Sequence, residues 1–403
     1  MPFRDSWPLI GGLLFVVGFG AELPAVALLG LAVMVLGIGA RQWSNHLFDR
    51  VALRRKLANR RVFIGEPTEL EVELENRKFL PLPWFEWRLA LGEHLGVAGE
   101  RLAASAVPGL HYLVRRGAAG WYAVERWRVV LEPARRGYHP IGPASLRSAD
   151  LIGAWPRRIE DDGRDHLVVY PRVYRLEELG LEAERPFGDL RGGERIFEDP
   201  LRIAGLREYR PGDPLRRIDW KATARSGDLR SRVYEPSATR QLYLLLNIDT
   251  MEHAWEGYLS EELEQLVSVT ASLATWAAGS RYAVGMLANG AYPGADRPIR
   301  VAPSRSREQL VRLLEALAVV QPLTMGDLSG AIRRESGRFE AGSTLVLIAS
   351  LIPEPLAAVL GRLAAEGHRV HVVAVSDRAA AAVPAGVPVH RVGGRFQRAE
   401  VLV

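Results

Sequence analysis

The sequence predicts three parts in series: a transmembrane helical hairpin, a β-sandwich, and a doubly wound α/β domain. Three observations carry this. Two long apolar stretches precede residue 41, Glu69 to Glu75 alternates strictly between acidic and apolar residues, and beyond about residue 240 short apolar runs alternate with helical patterns. At 403 residues the chain exceeds one ordinary domain, so two or three are expected.

The first part spans residues 1–40. Trp7 to Ala21 is apolar, Glu22-Leu23-Pro24 interrupts, and Leu23 to Ala40 is apolar again. The second stretch reaches about 27 Å as a helix, close to the hydrocarbon thickness of a bilayer, and the first about 22 Å. The first therefore needs local thinning or flanking anchors to cross. A single span with an interfacial piece is the alternative. A cleaved signal peptide, with Arg4 at its start and Ala25-Val26-Ala27 at its cut, is opposed by Asp5 and by the second apolar stretch. A basic connector follows at 41–60, with helical character allowed. Its Arg41, Arg50, Arg54, Arg55 and Lys56 place the later domains on the cytoplasmic side. The expectation is a multi-pass protein of the inner (cytoplasmic) membrane.

Residues 61–175 read as the β-sandwich. Glu69-Leu70-Glu71-Val72-Glu73-Leu74-Glu75 has one apolar and one acidic face, the latter read as solvated. Trp84 to Leu89 and Trp121 to Leu131 are further strands, and the Gly and Pro of Arg136 to Pro143 mark turns. Residues 176–204 are polar and Gly-rich and read as a linker. Residues 236–403 form the α/β part, with strands at Leu242–Ile248, Tyr282–Ala288, Thr344–Ala349 and Val370–Val375. Helices are expected at Leu259–Ala278, Arg307–Val319 and Glu354–Glu366. No internal repeat is present.

Composition excludes some chemistry. Cysteine is absent, which removes disulfides, zinc thiolates and cysteine nucleophiles. The net charge is +5, but the basic residues are almost all arginine, lysine occurring only at Lys56, Lys78 and Lys221. No basic stripe with interleaved aromatics is found, so no nucleic-acid partner is expected.

The densest charged segment lies at 205–235: Tyr209-Arg210-Pro211-Gly212-Asp213-Pro214, then Leu215-Arg216-Arg217-Ile218-Asp219-Trp220-Lys221-Ala222-Thr223-Ala224-Arg225. Pro211-Gly212 suits a turn, Asp213 an N-cap and Pro214 the first helical position, with a short helix then running to Arg225. Ile218 and Trp220 are available for burial. This segment is either an ion-pair network docking the helix or an active site.

The motif resembles the signature of the domain-of-unknown-function-58 family. The Arg135–Pro143 run, Ser148-Ala149-Asp150-Leu151-Ile152-Gly153 and the two spans are similar to that family as well. Arg210, Asp213, Arg217, Asp219, Trp220, Lys221 and Arg225 are then its interaction or structural residues. The resemblance implies a membrane-anchored protein with a von Willebrand factor type A-like C-terminal domain. Such domains carry a metal-ion-dependent adhesion site, Asp-x-Ser-x-Ser, after the first strand. The resemblance also implies a MoxR-type AAA ATPase as partner, in chaperone-like maturation or complex assembly.

Asp249 stands where the first metal ligand belongs, but Met251 and His253 replace the serines. Magnesium wants oxygen, so the expectation is a degenerate site without a tight metal and no cofactor. Thr324 and Asp327 are in a loop able to offer oxygens, and Ala349-Ser350 ends a strand where many A-type domains place an aspartate. Asp249 would instead cap the next helix or meet an arginine of 210–225. The function expected is a non-enzymatic, membrane-tethered binding and scaffold protein. The alternative is a hydrolase using Asp249, His253 and the 210–225 segment, although no phosphate loop, nucleophile elbow or metal-spaced His pair is present. Envelope or polysaccharide assembly would differ only in the partner.

Overall fold

The computed structural model describes residues 6–182, 186–187, 198–210, 215–236, 241–291, 297–340 and 342–392, so Asp213 lies outside the described residues. The chain divides into two units, Met1–Pro171 and Arg172–Val403.

The first unit opens with two apolar helices, α1 (Trp7–Gly20) and α2 (Pro24–Asn45). Pro24 starts α2 at a position where its missing N–H costs nothing, and Glu22 takes a φ of +54° in the turn. α2, 22 residues long, is the one described helix long and apolar enough to cross a membrane. α1 has 14 residues and is shorter. The two pack through glycine. A Cβ on Gly30 would lie 2.3 Å from the Phe15 nitrogen, and one on Gly18 would lie 2.4 Å from that of Ala27. Small residues admit this backbone approach. The large apolar side chains of both helices point outward and are exposed.

The strands follow as β1 (Val51–Leu57), β2 (Arg61–Phe63), β3 (Thr68–Asn76), β4 (Leu82–Gly92), β5 (Leu95–Val97) and β6 (Ala103–Ala104). Then come β7 (Leu110–Ala119), β8 (Val124–Pro133), β9 (Gly137–Ser148), β10 (Arg157–Asp161) and β11 (Asp165–Tyr170). They form a four-stranded sheet, β1-β3-β8-β5, and a seven-stranded sheet, β2-β11-β9-β4-β7-β6 with β10 on β9. The two sheets share one core, in which Leu70, Val72 and Leu74 of β3 pack with Phe85, Trp87 and Leu89 of β4. Leu47, just past α2, is fully buried in the same core.

Three expectations change here. The connector is not helical beyond Asn45, since Val51–Leu57 is a strand. The acidic face of β3 is not simply solvated. In the ladder Arg54 faces Glu73, Lys56 faces Glu71, and on the other side Arg126 and Arg128 face Glu73 and Glu71. Opposite charges across neighbouring strands favour this pairing. The Gly-Pro run at 136–143 is not a turn but lies mostly within β9. There Gly142 takes a φ of +110° and lies against the Gly163 carbonyl, where a Cβ would sit 2.4 Å from that oxygen.

The second unit contains β12 (Glu198–Glu208), α3 (Trp220–Ser226), β13 (Arg230–Pro236), β14 (Gln241–Leu246), α4 (Ser260–Gly279), β15 (Ala283–Ala288), β16 (Gly290–Ala291) and β17 (Ile299–Ser304). It continues with α5 (Gln309–Ala318), β18 (Gln321–Thr324), α6 (Leu328–Glu335), β19 (Thr344–Ala349), α7 (Glu354–Ala365), β20 (Arg369–Ala374), α8 (Asp377–Ala381) and β21 (Val389–Arg391). Six strands form one sheet in the order β17-β15-β14-β19-β20-β21, all neighbours parallel except β15 and β17. This is a mixed α/β architecture. Leu245, Leu347 and Val372 pack against Ile332 of α6 and Leu360 of α7 on one face. The alternate residues Leu242, Leu244 and Val346 are also buried, so both faces are covered.

The expected linker is partly structured. Leu176, Leu179 and Leu181 are buried, and β12 starts at Glu198, pairing antiparallel with β13.

Candidate functional site at the carboxyl edge of the sheet

In an open α/β sheet ligands bind beyond the carboxyl ends of strands, where the strand order reverses. β14 is that strand here, with β15 on one side and β19 on the other. Its apolar run Leu244-Leu245-Leu246 fixes the buried strand, and Asn247, Ile248 and Asp249 then emerge at its carboxyl end.

Asn289 organises this edge. Its Oδ1 accepts from the Ile248 N–H at 2.8 Å, and its Nδ2 donates to Asn247 Oδ1 at 2.8 Å and to Asp249 Oδ2 at 2.9 Å. Asn247 in turn donates to the Leu351 carbonyl at 2.9 Å. The second Asp249 oxygen accepts from the Thr324 hydroxyl at 2.8 Å. Thr324 is held there by the short ladder in which it pairs with Gly290, and by the Met325 N–H donating to the Asn289 carbonyl at 2.7 Å.

Asp249 is half-buried, and burial raises its carboxyl above the usual carboxylate range. The Thr324 and Asn289 hydrogen bonds oppose that rise, and the nearby Asp327 charge adds to it. Asp327 is shifted the other way, lowered first by the Ser329 hydroxyl and further by the Gly330 N–H and the Arg333 charge. It caps α6 through the Gly330 N–H rather than joining Asp249.

Beside this lies a second network. The Arg378 guanidinium donates to both Glu262 oxygens, at 3.2 and 3.1 Å, and to the Thr250 carbonyl at 3.2 Å. Ser350, fully buried, donates to Glu262, and Ser376 donates to the Ser350 carbonyl.

A hard divalent cation takes about six oxygens. Around Asp249 the structure offers its own carboxylate and the Thr324 hydroxyl, while Asn289 presents its NH2 group. Among the described residues no three His, Cys, Asp or Glu side chains converge. The residues present do not fit a magnesium ion.

Asp249 neither caps the next helix nor meets an arginine of the charged segment, as the sequence had suggested; Thr324 and Asn289 take its oxygens. His253 is turned elsewhere, its ring stacked on exposed Trp255 at 4.1 Å. Sequence reasoning missed Asn247, Asn289, Glu262 and Arg378. A signal existed for the two asparagines, since each directly follows an apolar, buried run, Leu242–Leu246 and Ala283–Ala288.

In the charged segment the helix begins later than Asp213 and Pro214 suggested. Leu215–Arg217 is a single 3-10 turn, and α3 starts at Trp220 with Asp219 as N-cap. Asp219 accepts from the Ala222 N–H at 3.0 Å and from Arg232 Nε at 2.9 Å, and both hold its carboxyl below the usual range. Ile218 is buried, bridging Ser231, but Trp220 is 66% exposed rather than buried. Lys221, Arg225 and Arg210 are exposed as well, and Arg217 is half-buried.

The family model for proteins of unknown function DUF58 matches residues 205–393. The uncharacterized protein YeaD of Bacillus subtilis is 31% identical over 173 residues, which cover 41% of this chain and 41% of YeaD. The chain thus matches less than half the length of that curated relative. Among solved structures, a CARDB domain from Pyrococcus furiosus is 13% identical, covering 30% of this chain and 90% of its own, with a TM-score of 0.21. A PapD-like domain of human CEP192 is 14% identical, covering 28% and 82%, with a TM-score of 0.15. Scores this low carry no argument. Residues 205–393, which hold both the charged segment and the carboxyl edge of the sheet, are the part of the chain that matches the DUF58 family.

Proposed function

We propose that this protein is a membrane-anchored binding and scaffold protein whose DUF58 region engages a protein partner. The observation that carries the reading is Trp220, 66% exposed on α3 in a segment whose Arg210, Lys221 and Arg225 are exposed as well. Tryptophan and arginine dominate binding hot spots, and an exposed indole on a capped, ion-paired turn loses little entropy on docking. The basic surroundings suit an acidic partner surface. The family resemblance suggests a MoxR-type AAA ATPase, in complex assembly or chaperone-like maturation.

The C-terminal unit is read as von Willebrand factor type A-like, supported by its strand order and by a polar site after the first strand of the sheet. Its adhesion site works without a metal. The N-terminal helices are read as a hairpin in the inner membrane, α2 at about 33 Å being long enough to span and α1 at about 21 Å needing a thinned bilayer. Arg41 and Arg50, exposed near the exit of α2, support a reading with the later domains in the cytoplasm. Arg54, Arg55 and Lys56 belong to β1 and count less.

The test is capture from the native cell by the detergent-solubilised full chain, with cross-linker and nucleotide. An AAA ATPase should be recovered by the wild type and depleted about tenfold or more by Trp220→Ala. Recovery of no ATPase, or equal recovery by the variant, sinks the proposal. A reporter fused after residue 403 should read cytoplasm.

A further inference from the structure

Where α2 ends, the β domain does not hang free. Leu47 is buried in the domain core, and Trp43 and Phe48 pack against it. Two loops are tied to this exit. The Lys78 amino group donates to the Leu47 and Asp49 carbonyls, and the Arg77 N–H donates to the Arg50 carbonyl. On the other loop, the Trp155 carbonyl accepts from the Ser44 hydroxyl at 2.8 Å, and Arg157 reaches Asn45.

These loops, and the turn between β7 and β8 that is bonded to the first through the Tyr122 N–H and the Lys78 carbonyl, carry apolar side chains that stay exposed among the described residues. Phe79 and Trp121 stack face to face at 5.3 Å and 4°, yet are 69% and 62% exposed. Tyr122 beside them takes a φ of +51°, a backbone region bulky residues avoid, and is exposed. The other loop is built on buried Asp150, whose carboxylate accepts from the Ile152, Ala154 and Trp155 N–H groups. This Asx-anchored turn leaves Leu151 and Ile152 exposed by 66% and 57%. Rigid turns that hold five large apolar side chains in water are costly unless something covers them.

We infer that the loops carrying Phe79, Trp121 and Tyr122 and carrying Leu151 and Ile152 form a membrane-docking face, seated in the headgroup layer around the exit of α2. The occupant is the lipid interface rather than a protein because the face is continuous with the end of the apolar helix. Aromatic rings are the residues that settle at that depth. Arg41 and Arg50 at the same end are exposed and suit anionic headgroups. This rests on the membrane reading of α2.

The absence of cysteine makes the test clean. Nitroxide labels are placed on the full chain at Tyr122→Cys and Leu151→Cys, with Ile152→Cys as a repeat of the second loop. Leu29→Cys, exposed in the second turn of α2, reports the span, and Trp255→Cys in the second unit reports water. The variants are reconstituted in nanodiscs of phosphatidylethanolamine and phosphatidylglycerol. Labels at 122 and 151 should collide more with oxygen than with an aqueous nickel chelate, as at 29 and unlike 255. A wet label at 29 overturns the membrane reading itself. A lipid-immersed label at 29 with wet labels at 122 or 151 overturns this inference alone. Shielding at 122 and 151 from both collision partners means a protein covers the face, and overturns it too.

Discussion

The Thr324 hydroxyl donates to the Asp249 carboxylate at 2.8 Å, across 75 residues of chain. That bond gives the half-buried acid a neutral partner at the place where the fold class presents ligands. With Asn289 on its other oxygen, the carboxylate is held in position without any positive charge bonded to it.

Thr324→Val keeps the shape and removes the donor. We expect a loss of about 1 kcal/mol in chemical denaturation of the solubilised chain, since one hydrogen bond to a half-exposed acid is lost. Asp249→Ala should leave partner capture intact if the protein is a scaffold. Loss of a measurable turnover in Asp249→Ala would instead favour the hydrolase reading.

Magnesium should not matter to this edge. Titration of the full chain with magnesium chloride should give no binding heat and no change in thermal midpoint. A midpoint that rises with magnesium and is lost in Asp249→Ala would overturn the misfit argued from Asn289 and Met251.

Asp219 joins the start of α3 to β13. Its folded value lies below the unfolded one, so its contribution is complete above the ordinary carboxylate range and is lost as pH falls below that range through the lowered folded value. Asp219→Asn retains a cap acceptor but loses charge attraction to Arg232, whereas Asp219→Ala loses both. Partner capture should decline in the order wild type, Asn, Ala; equal capture by all three would detach the cap from recognition.

His371 is buried on β20 and pushed down to about 4, first by burial, then by the charges of His390 and Arg369. The unfolded chain therefore binds more protons between about 6.5 and 4, and stability falls as pH drops through that window, by up to about 3 kcal/mol. His371→Phe should flatten the denaturation midpoint across these pH values. An unchanged slope would show that other groups carry it.

Gly30 sets the approach of the two N-terminal helices. Gly30→Val should destabilise the pair by about 1–3 kcal/mol, as overpacking does. Gly39→Val, where a Cβ meets open space, is the control. Thermal aggregation in detergent should separate the two; indistinguishable curves would mean the helices do not pack through Gly30.

The α/β part was legible because buried parallel strands read as unbroken apolar runs: Thr344–Ala349 matches β19, and Glu354 marks the start of α7. The β part was legible at Glu69–Glu75, where period two is strict, at Trp84–Leu89 within β4, and at Trp121–Leu131, most of which falls in β8. β9 hid behind its glycines and prolines, and β1 behind charges that belong to a cross-strand ladder. The candidate site was half legible. Asp249 follows a recognisable strand, but its partners come from Asn289 and Thr324, 40 and 75 residues on, placed by a ladder of two residues. The start of α3 at Trp220 has a local cause, because Asp219 offers the capping chemistry with Arg232 to hold it.

Leu47 has one more consequence. A domain on a flexible leash samples a hemisphere, and its effective concentration toward a neighbour is diluted over that volume. Here the chain leaves α2 and enters the domain core two residues later, so the leash has no slack. With α2 in a bilayer, as proposed, residues up to Pro171 would search the membrane only by lateral drift and spin, at one fixed height. A partner working at that height would meet them in two dimensions, and one held higher would not meet them at all.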